Sequence, residues 1–536
     1  MLLADVVATS AAVAATRSRL TKRALLADAL RAAAGGGPTE AGASPTDAAG
    51  APTEDADRPA EADTGSEEVE VVASYLSGRP RQRRTGVGWR SLAQLPQAAP
   101  SPVLTPTAVD AALEELGTLA GSGSQAARAS AVAALFGAAT TDEQHFLRAL
   151  ILGELRQGAL DSLLLDAIAE AAQVPVKAVR RAAMFSALTG PIARAALTGG
   201  VEALEHFRLE VGRPVRPMLA ATAPDVDAAL EKVGSHVAAD GKIDGIRIQV
   251  HRSGDDVTVF TRSLDDITGR VPEVVETVRT LGPDDLVLDG EAIALGPDGR
   301  PRPFQETGSR TMSRDGASLR EAVPLTAYFF DLLHLDGRDL IDSPATDRFA
   351  ALEGVVPMAS LVPRRITADP AEVQTFFAEM LAAGHEGLVL KNLESPYDAG
   401  RRGSAWVKVK PRHTLDLVVL AVEWGSGRRQ GLLSNIHLGA RDGDGFVMLG
   451  KTFKGMTDEM LTWQTDRFLE LETGREGHVV HVRPEQVVEI AFGGIQRSTR
   501  YPGGMALRFA RVLRYRDDKS AAEADTVETV RSLAGA

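Results

Sequence analysis

Cysteine is missing altogether from the 536 residues. That excludes disulfides, a cysteine-ligated structural zinc and a thiol nucleophile, and it fits a reducing interior. Aromatic residues make up only 5% of the chain. Apolar runs of membrane-spanning length are lacking too: the longest are alanine-rich and carry charges within the roughly 18–25 residues a span requires. The start of the chain has no basic segment leading into a clean apolar core, so no secretory signal is expected. There is no Walker A motif and no convincing GxGxxG, so a nucleotide site would need another cradle for its phosphates.

What is present is the composition of a globular protein, 44% hydrophobic and 24% charged. The length predicts two to four domains. A net charge of −13 argues against nucleic acid only until its distribution is considered. Residues 39–70 hold ten acidic residues against one arginine, which is −9 of the total and leaves −4 for the other 504. Local basic patches then matter more than the sum.

Along the chain, residues 1–33 read as helix, with leucine and valine recurring through an alanine-rich run. Residues 34–66 are rich in Gly, Pro, Ala and acids and are expected to form a disordered acidic insertion. Helical spacing then dominates 67–207, so that 1–207 reads as an all-α unit. The segment "LEVGRPVRPMLA", 209–220, marks a change to period two. Short β-rich runs such as "IRIQV", "VTVFT", "LVLDGEAIAL", "GLVLK" and "WVKVK" alternate with helical stretches, which predicts a mixed α+β domain over 208–412. From "LDLVVLAVEWG" onward, 413–536 reads as a smaller β-rich unit compatible with a barrel, with a helix at 520–534.

The chemistry gathers around "DGKIDGIRIQVHRSGDDVTVFTRS". Lys242 precedes an Asp244-Gly245 turn and a hairpin, which would hold it beside a strand. A lysine nucleophile must be uncharged when it attacks, so neighbouring positive charge or desolvation has to help. On its own the motif is equally a turn with a surface lysine. Other residues add weight. Arg247 and Gln249 alternate with apolar neighbours, Arg262 ends the next run, and Glu291 sits inside an apolar strand. Glu386 opens "GLVLK", and Lys408 and Lys410 share one face of "WVKVKP". Carboxylates in apolar strands need a metal or a cation, and a lysine stripe in such company reads as a phosphate clamp rather than a solvated face. Cations for phosphoryl oxygens, carboxylates for a metal and one amine are what transfer of a nucleotide to lysine requires. Phe329 and Phe330 offer aromatic surface for a base, with core packing as the alternative.

Taken in order, these motifs resemble the ATP-dependent DNA ligases of the covalent nucleotidyltransferase superfamily, the bacterial type with an N-terminal helical DNA-binding domain. The resemblance spans about residues 75–519. Lys242-Ile243-Asp244-Gly245 with Arg247 matches the nucleophile motif, and Arg262 the arginine that contacts ribose and phosphate. Glu291, Phe330-Asp331, Glu386, and Lys408 with Lys410 match the following motifs. "RFARVLRYRDDK", with Arg508, Arg511, Arg516, Asp517 and Lys519, matches the last. The resemblance implies a helical DNA-binding domain, an adenylation domain and a C-terminal OB-fold barrel. It implies a lysyl-AMP on Lys242 and AMP transfer to the 5′-phosphate of a nick. Sealing by the 3′-hydroxyl follows, in replication, repair or recombination. ATP and Mg2+ or Mn2+ are the implied cofactors, with Arg247, Arg262, Glu291, Phe330, Lys408, Lys410, Arg508 and Lys519 around the nucleotide and Glu291 and Glu386 at the metal. Nicked duplex DNA is the implied partner of a cytoplasmic monomer that encircles it at the nucleoid. Arg156 and Gln157 are candidate DNA contacts, as are Arg83 and Arg84 in a basic loop.

The family usually has Glu two residues before the nucleophile, reading the adenine amino group. Here it is Asp240, one methylene shorter, and the adenine contact is expected to be weaker or carried by the backbone. An RNA ligase or capping guanylyltransferase would share the lysine chemistry, but the long helical region weighs against both. A non-catalytic scaffold has no need of Lys242, Glu291, Glu386, Lys408 and Lys410 together. An NAD-dependent ligase is disfavoured by the missing cysteines of its zinc module.

Overall fold

The computed structural model describes residues 1–35, 60–82, 84–157, 161–313, 316–400 and 402–534. The first part of the chain is helical. Helices Leu3–Ala15, Arg19–Ala33, Ala60–Leu76, Pro106–Thr118, Ser124–Gly137, Thr141–Ile151, Asp161–Ala171, Val176–Met184 and Gly190–Glu205 follow one another. Their inward faces meet in one core that includes Leu26, Leu30, Val72, Leu113, Phe136, Leu147 and Ile168. Residues 1–33 form two helices rather than one. Ser18 interrupts the run, and its side chain accepts from the Thr21 N–H to start the second helix. The acidic segment also differs from expectation at its far end. Residues 36–59 lie outside the described residues, but 60–66 already belong to the helix Ala60–Leu76.

Two five-stranded sheets come next. In the first the order is Leu219–Ala223, Arg402–Val409, Leu388–Asn392, Val237–Gly241, Arg364–Thr367. Only its edge pair, Leu219–Ala223 with Arg402–Val409, is parallel. The second sheet runs Asp256–Thr261, Ile246–Ser253, Asp285–Ala294, Leu325–Leu335, Arg338–Asp339 and is antiparallel throughout. Helices Val226–Val233 and Pro370–Ala382 bury Val226, Val233, Val373 and Phe376 against Val237, Leu388 and Val407 of the first sheet. Helix Pro272–Arg279 does the same for the second, where Val274 and Val278 meet Val250, Val259 and Leu288. The expected hairpin exists: Ile246–Ser253 pairs with Asp256–Thr261, turning at Gly254 with φ +58°. The mixed α+β reading therefore holds for this part of the chain.

The C-terminal unit is a seven-stranded antiparallel sheet that curls into a half-barrel. Strand His413–Trp424 is long enough to pair with Leu433–Asp442 along one edge and with Val479–Val482 and Val487–Phe492 along the other. Helix Asp458–Glu470 packs Leu461 and Phe468 into the concave core. Among the described residues, no helix is long and apolar enough to cross a membrane.

Candidate active site

Residues 242–245 carry the chain from the first sheet to the second. Val237–Gly241 is an inner strand of one, Ile246–Ser253 of the other, and Lys242 stands at the exit of the first. Backbone bonds pin it there. The Lys242 N–H donates to the Gly387 carbonyl (2.8 Å) and the Glu386 N–H donates to the Lys242 carbonyl (2.9 Å). Gly245 makes the passage possible: a Cβ there would collide with the Ala292 carbonyl oxygen and the Glu291 side chain. The close approach that needs a glycine is thus the one that brings the lysine turn onto the Glu291 strand.

That reciprocal pairing places the Glu386 carboxylate on the Lys242 amine. Glu386 Oε2 accepts from Lys242 Nζ and from Lys410 Nζ (2.5 Å). Burial works to raise the Glu386 pKa, but the two ammonium groups outweigh it and hold the carboxyl down at about 2. Burial and the charge of Lys242 together lower Lys410. Glu291 behaves in the opposite way. Burial pushes it up to about 7 against the pull of Lys242 and Arg247. Asp244 is also raised, by burial and then by the charge of Glu386. The site therefore holds one carboxyl driven down and two driven up around the Lys242 amine.

The base side of the site differs from the sequence reading. Asp240 is 2% exposed and both its oxygens are taken. Arg364 donates to them from Nε (2.6 Å) and Nη2 (2.8 Å), and Lys391 Nζ lies 2.7 Å from Oδ2. Burial works to raise Asp240, but Arg364 and Lys391 hold it below the usual carboxylate range. Three of the roughly four acceptor sites of this carboxylate are thus spent inside the protein, and Asp240 stands in a buried ion-pair cluster. The same two cations reach the Phe330 carbonyl, Arg364 at 2.8 Å and Lys391 at 3.3 Å. Phe329 is the core member of the aromatic pair, fully buried, while Phe330 is half-buried and meets Trp406 edge-on at 5.9 Å. Lys391 and Arg247 sit 4.5 and 5.4 Å from the Phe330 ring centre.

Arg247, expected as a nucleotide contact, is largely spent on the protein. Its guanidinium donates to both oxygens of Asp289 (3.0 and 2.6 Å), to the Met218 carbonyl (2.6 Å) and to Tyr397 Oη (3.1 Å). Of the five N–H groups of a guanidinium, one is left over. Arg262 is exposed just beyond its strand, and Lys408 is half-buried on Arg402–Val409 opposite Val389. Arg508 arrives from the C-terminal unit: Nη1 donates to Asp244 Oδ2 (2.8 Å) across 264 residues of chain, and the guanidinium lies 5.2 Å from the Phe304 ring. Lys519 is not gathered here. It bonds Asp416 (2.6 Å) together with Arg516 (2.9 Å), inside the C-terminal unit.

The candidate DNA contacts also separate. Arg84 and Arg156 are exposed, and Arg83 lies outside the described residues. Gln157 is a correction: it is 5% exposed and its amide is bonded inward to Ser10 (2.9 Å) and to the Leu76 carbonyl. Sequence reading missed Arg364 and Tyr397, which carry no local motif, and Asp289, which lies in "LVLDGEAIAL" but was passed over for Glu291. Lys391 was visible as the end of "GLVLK", but nothing in its neighbours announces a buried cation.

Among the described residues, no three His, Cys, Asp or Glu side chains stand ready to hold a metal by themselves. The donors nonetheless fit a hard divalent ion completed by phosphate oxygens. Glu291 has the character for it, a carboxyl whose pKa burial pushes up to about 7 despite the charges of Lys242 and Arg247.

Comparison with known proteins agrees along the whole length. Residues 217–410 match the family model "ATP dependent DNA ligase domain", 429–519 "ATP dependent DNA ligase C terminal region" and 72–169 "DNA ligase N terminus". A "Probable DNA ligase" of Beutenbergia cavernae is 61% identical over 544 residues, covering 100% of both chains. One of a Nocardioides species is 60% identical over 538 residues, covering 100% of this chain and 99% of its own. A solved structure described as Pmar-Lig_PreS3 covers 95% of this chain and 99% of its own with a TM-score of 0.60 at 17% identity, a likeness of fold alone.

Proposed function

The chain belongs to the ATP-dependent DNA ligases, and from that premise we propose that Lys242 is the residue that carries AMP. Sealing of nicks in DNA by adenylylation is the activity of the family. The observation that carries the assignment is the Glu386 carboxylate shared between Lys242 and Lys410, at the passage between two sheets. Lys242, as the free amine, attacks the α-phosphorus; a P–N bond forms and the bond to pyrophosphate breaks. Glu386 orients the Nζ, and once Lys242 has released its proton to solvent the Lys410 ammonium is the charge that still favours the Glu386 anion. Lys408 and Lys410 face the α-phosphate oxygens, Phe330 lies along the purine, and Arg262 and the spare N–H of Arg247 serve the ribose and phosphates. The 5′-phosphate of the nick then takes AMP from the lysine, and attack by the 3′-hydroxyl expels AMP and closes the strand. Glu291 and Glu386 would hold Mg2+ or Mn2+ with the phosphate oxygens, supplying charge neutralisation at phosphorus.

We divide the chain into a DNA-binding domain to 207, an adenylation domain over 208–412 and an OB-fold unit over 413–536. The curl of the C-terminal sheet supports that last reading: Val512 N–H donates to the Lys454 carbonyl (2.9 Å), joining its far edges. A monomer closing these units around nicked duplex, at the nucleoid, is the working form. Arg156, Arg84 and Arg83 face DNA in it. Incubating the protein with ATP, Mg2+ and a nicked duplex labelled at the 5′-phosphate tests the function. A longer labelled strand with ATP, and none with GTP or NAD, is expected; sealing that runs equally well on GTP or NAD would overturn it.

A further inference from the structure

The two helices Leu3–Ala15 and Arg19–Ala33 precede the stretch that matches the ligase N-terminus, which begins at residue 72. They do not hang free. Arg19–Ala33 packs along Asp161–Ala171 and Leu3–Ala15 packs on Thr141–Ile151, with Val6, Leu26 and Leu30 fully buried in the shared core. Those two partner helices bracket the loop that carries Arg156. The loop leaves Thr141–Ile151 through Gly153, at φ +67°, and has no helix or strand of its own over 154–157. Left to itself, such a segment offers an arginine in many positions.

What holds it is Gln157, and the grip comes from the N-terminal pair. Ser10 Oγ donates to Gln157 Oε1 (2.9 Å), and Lys22 Nζ donates to the Gln157 main-chain carbonyl (3.0 Å). Gln157 Nε2 in turn donates to the Leu76 carbonyl. Lys22 is 7% exposed, Ser10 5% and Gln157 5%. A buried ammonium is costly unless its hydrogen bonds are met. Core packing alone does not require a lysine at that point of the helix, whereas a backbone carbonyl to be fixed does. Arg156, the neighbouring residue, is exposed.

We propose that Lys22 and Ser10 are positioning residues for DNA binding: by clamping Gln157 they hold Arg156 in one place against a phosphate of the duplex. The role of the N-terminal helix pair is then to brace the DNA-contact loop. This rests on the reading of Arg156 as a DNA contact, and the experiment separates the two.

The affinity of the full-length, pre-adenylated protein for a nicked duplex with a dideoxy 3′ end would be measured by fluorescence anisotropy over a range of salt. Wild type would be compared with Arg156→Ala, Lys22→Met, Ser10→Ala and the double variant Arg156→Ala/Lys22→Met. Loss of one such contact is worth roughly 1 kcal/mol, or about fivefold in Kd. Arg156→Ala and Lys22→Met are each expected to weaken binding by about that factor and to lower the salt slope by about one ion. The double variant should be no worse than either single one, because Lys22 acts only through Arg156. DNA-free self-adenylation should stay at the wild-type rate in Lys22→Met and Ser10→Ala, and Ser10→Ala should show a smaller loss of DNA affinity of the same kind. If Arg156→Ala binds as wild type, the DNA-contact reading itself falls. If Arg156→Ala weakens binding but Lys22→Met and Ser10→Ala do not, or if the Lys22 loss adds fully to the Arg156 loss, the clamp is refuted. Should Lys22→Met fail to fold, Ser10→Ala alone and combined with Arg156→Ala decides by the same criterion.

Discussion

At the scale of single residues, two carboxylates of the expected nucleotide site have taken different parts. Glu386 lies on the amine that does the chemistry, whereas Asp240, two residues before that amine, is locked beneath it by Arg364 and Lys391. Removing one member of a buried charge cluster leaves the others uncompensated, which costs about 3–5 kcal/mol. Asp240→Ala should therefore lower stability by about that amount in denaturant unfolding. It should not relax the preference for ATP over GTP in self-adenylation, since both oxygens are already engaged. A variant of wild-type stability that accepts GTP would show that Asp240 reads the base after all. The sequence could not reveal this. Arg364 lies 124 residues from Asp240, and a one-methylene difference from the usual Glu gives no sign of which cation will claim the oxygens.

At the scale of elements, the hairpin strand Ile246–Ser253 does more than follow the lysine. Its Gln249 and His251 anchor the segment that enters the adenylation domain. Gly212 N–H donates to His251 Nδ1 (3.0 Å) and Val215 N–H to Gln249 Oε1 (2.7 Å). Burial, and then the charge of His334, lower the His251 pKa from 6.5 to about 3. A histidine depressed in this way is neutral when folded and takes up a proton on unfolding. Its contribution to stability is complete above about 6.5 and is lost as pH falls towards 3. In nitrogen NMR of the folded protein the ring should remain neutral at pH 5, with Nδ1 unprotonated; a charged ring at that pH would contradict the burial. Element order was readable because apolar alternation and helical spacing change sharply near residue 209. The break at Ser18 and the early start of helix Ala60–Leu76 were not, since a capping serine and an acidic helix start are compositionally like loop.

At the scale of the whole molecule, Arg508 bonds Asp244, so the C-terminal unit is tied to the lysine turn by a half-buried ion pair. Two other cations of the last motif, Arg516 and Lys519, are held at home by Asp416. Their sequence order is that of a nucleotide-contacting motif, but chain order carries no information on how two units are rotated against each other. Arg508→Ala should free the C-terminal unit, seen as a larger radius of gyration in solution scattering; an unchanged profile would mean that the tie is incidental.

The most direct test of the account is adduct formation on Lys242. The protein would be incubated with α-labelled ATP and Mg2+, without DNA, beside Lys242→Ala, and the labelled peptide identified. The account predicts a label at Lys242 on the wild type alone, labile to acid and stable to alkali as a P–N bond requires, and discharged by nicked DNA. Label on Lys242→Ala, or on another lysine of the wild type, would contradict it.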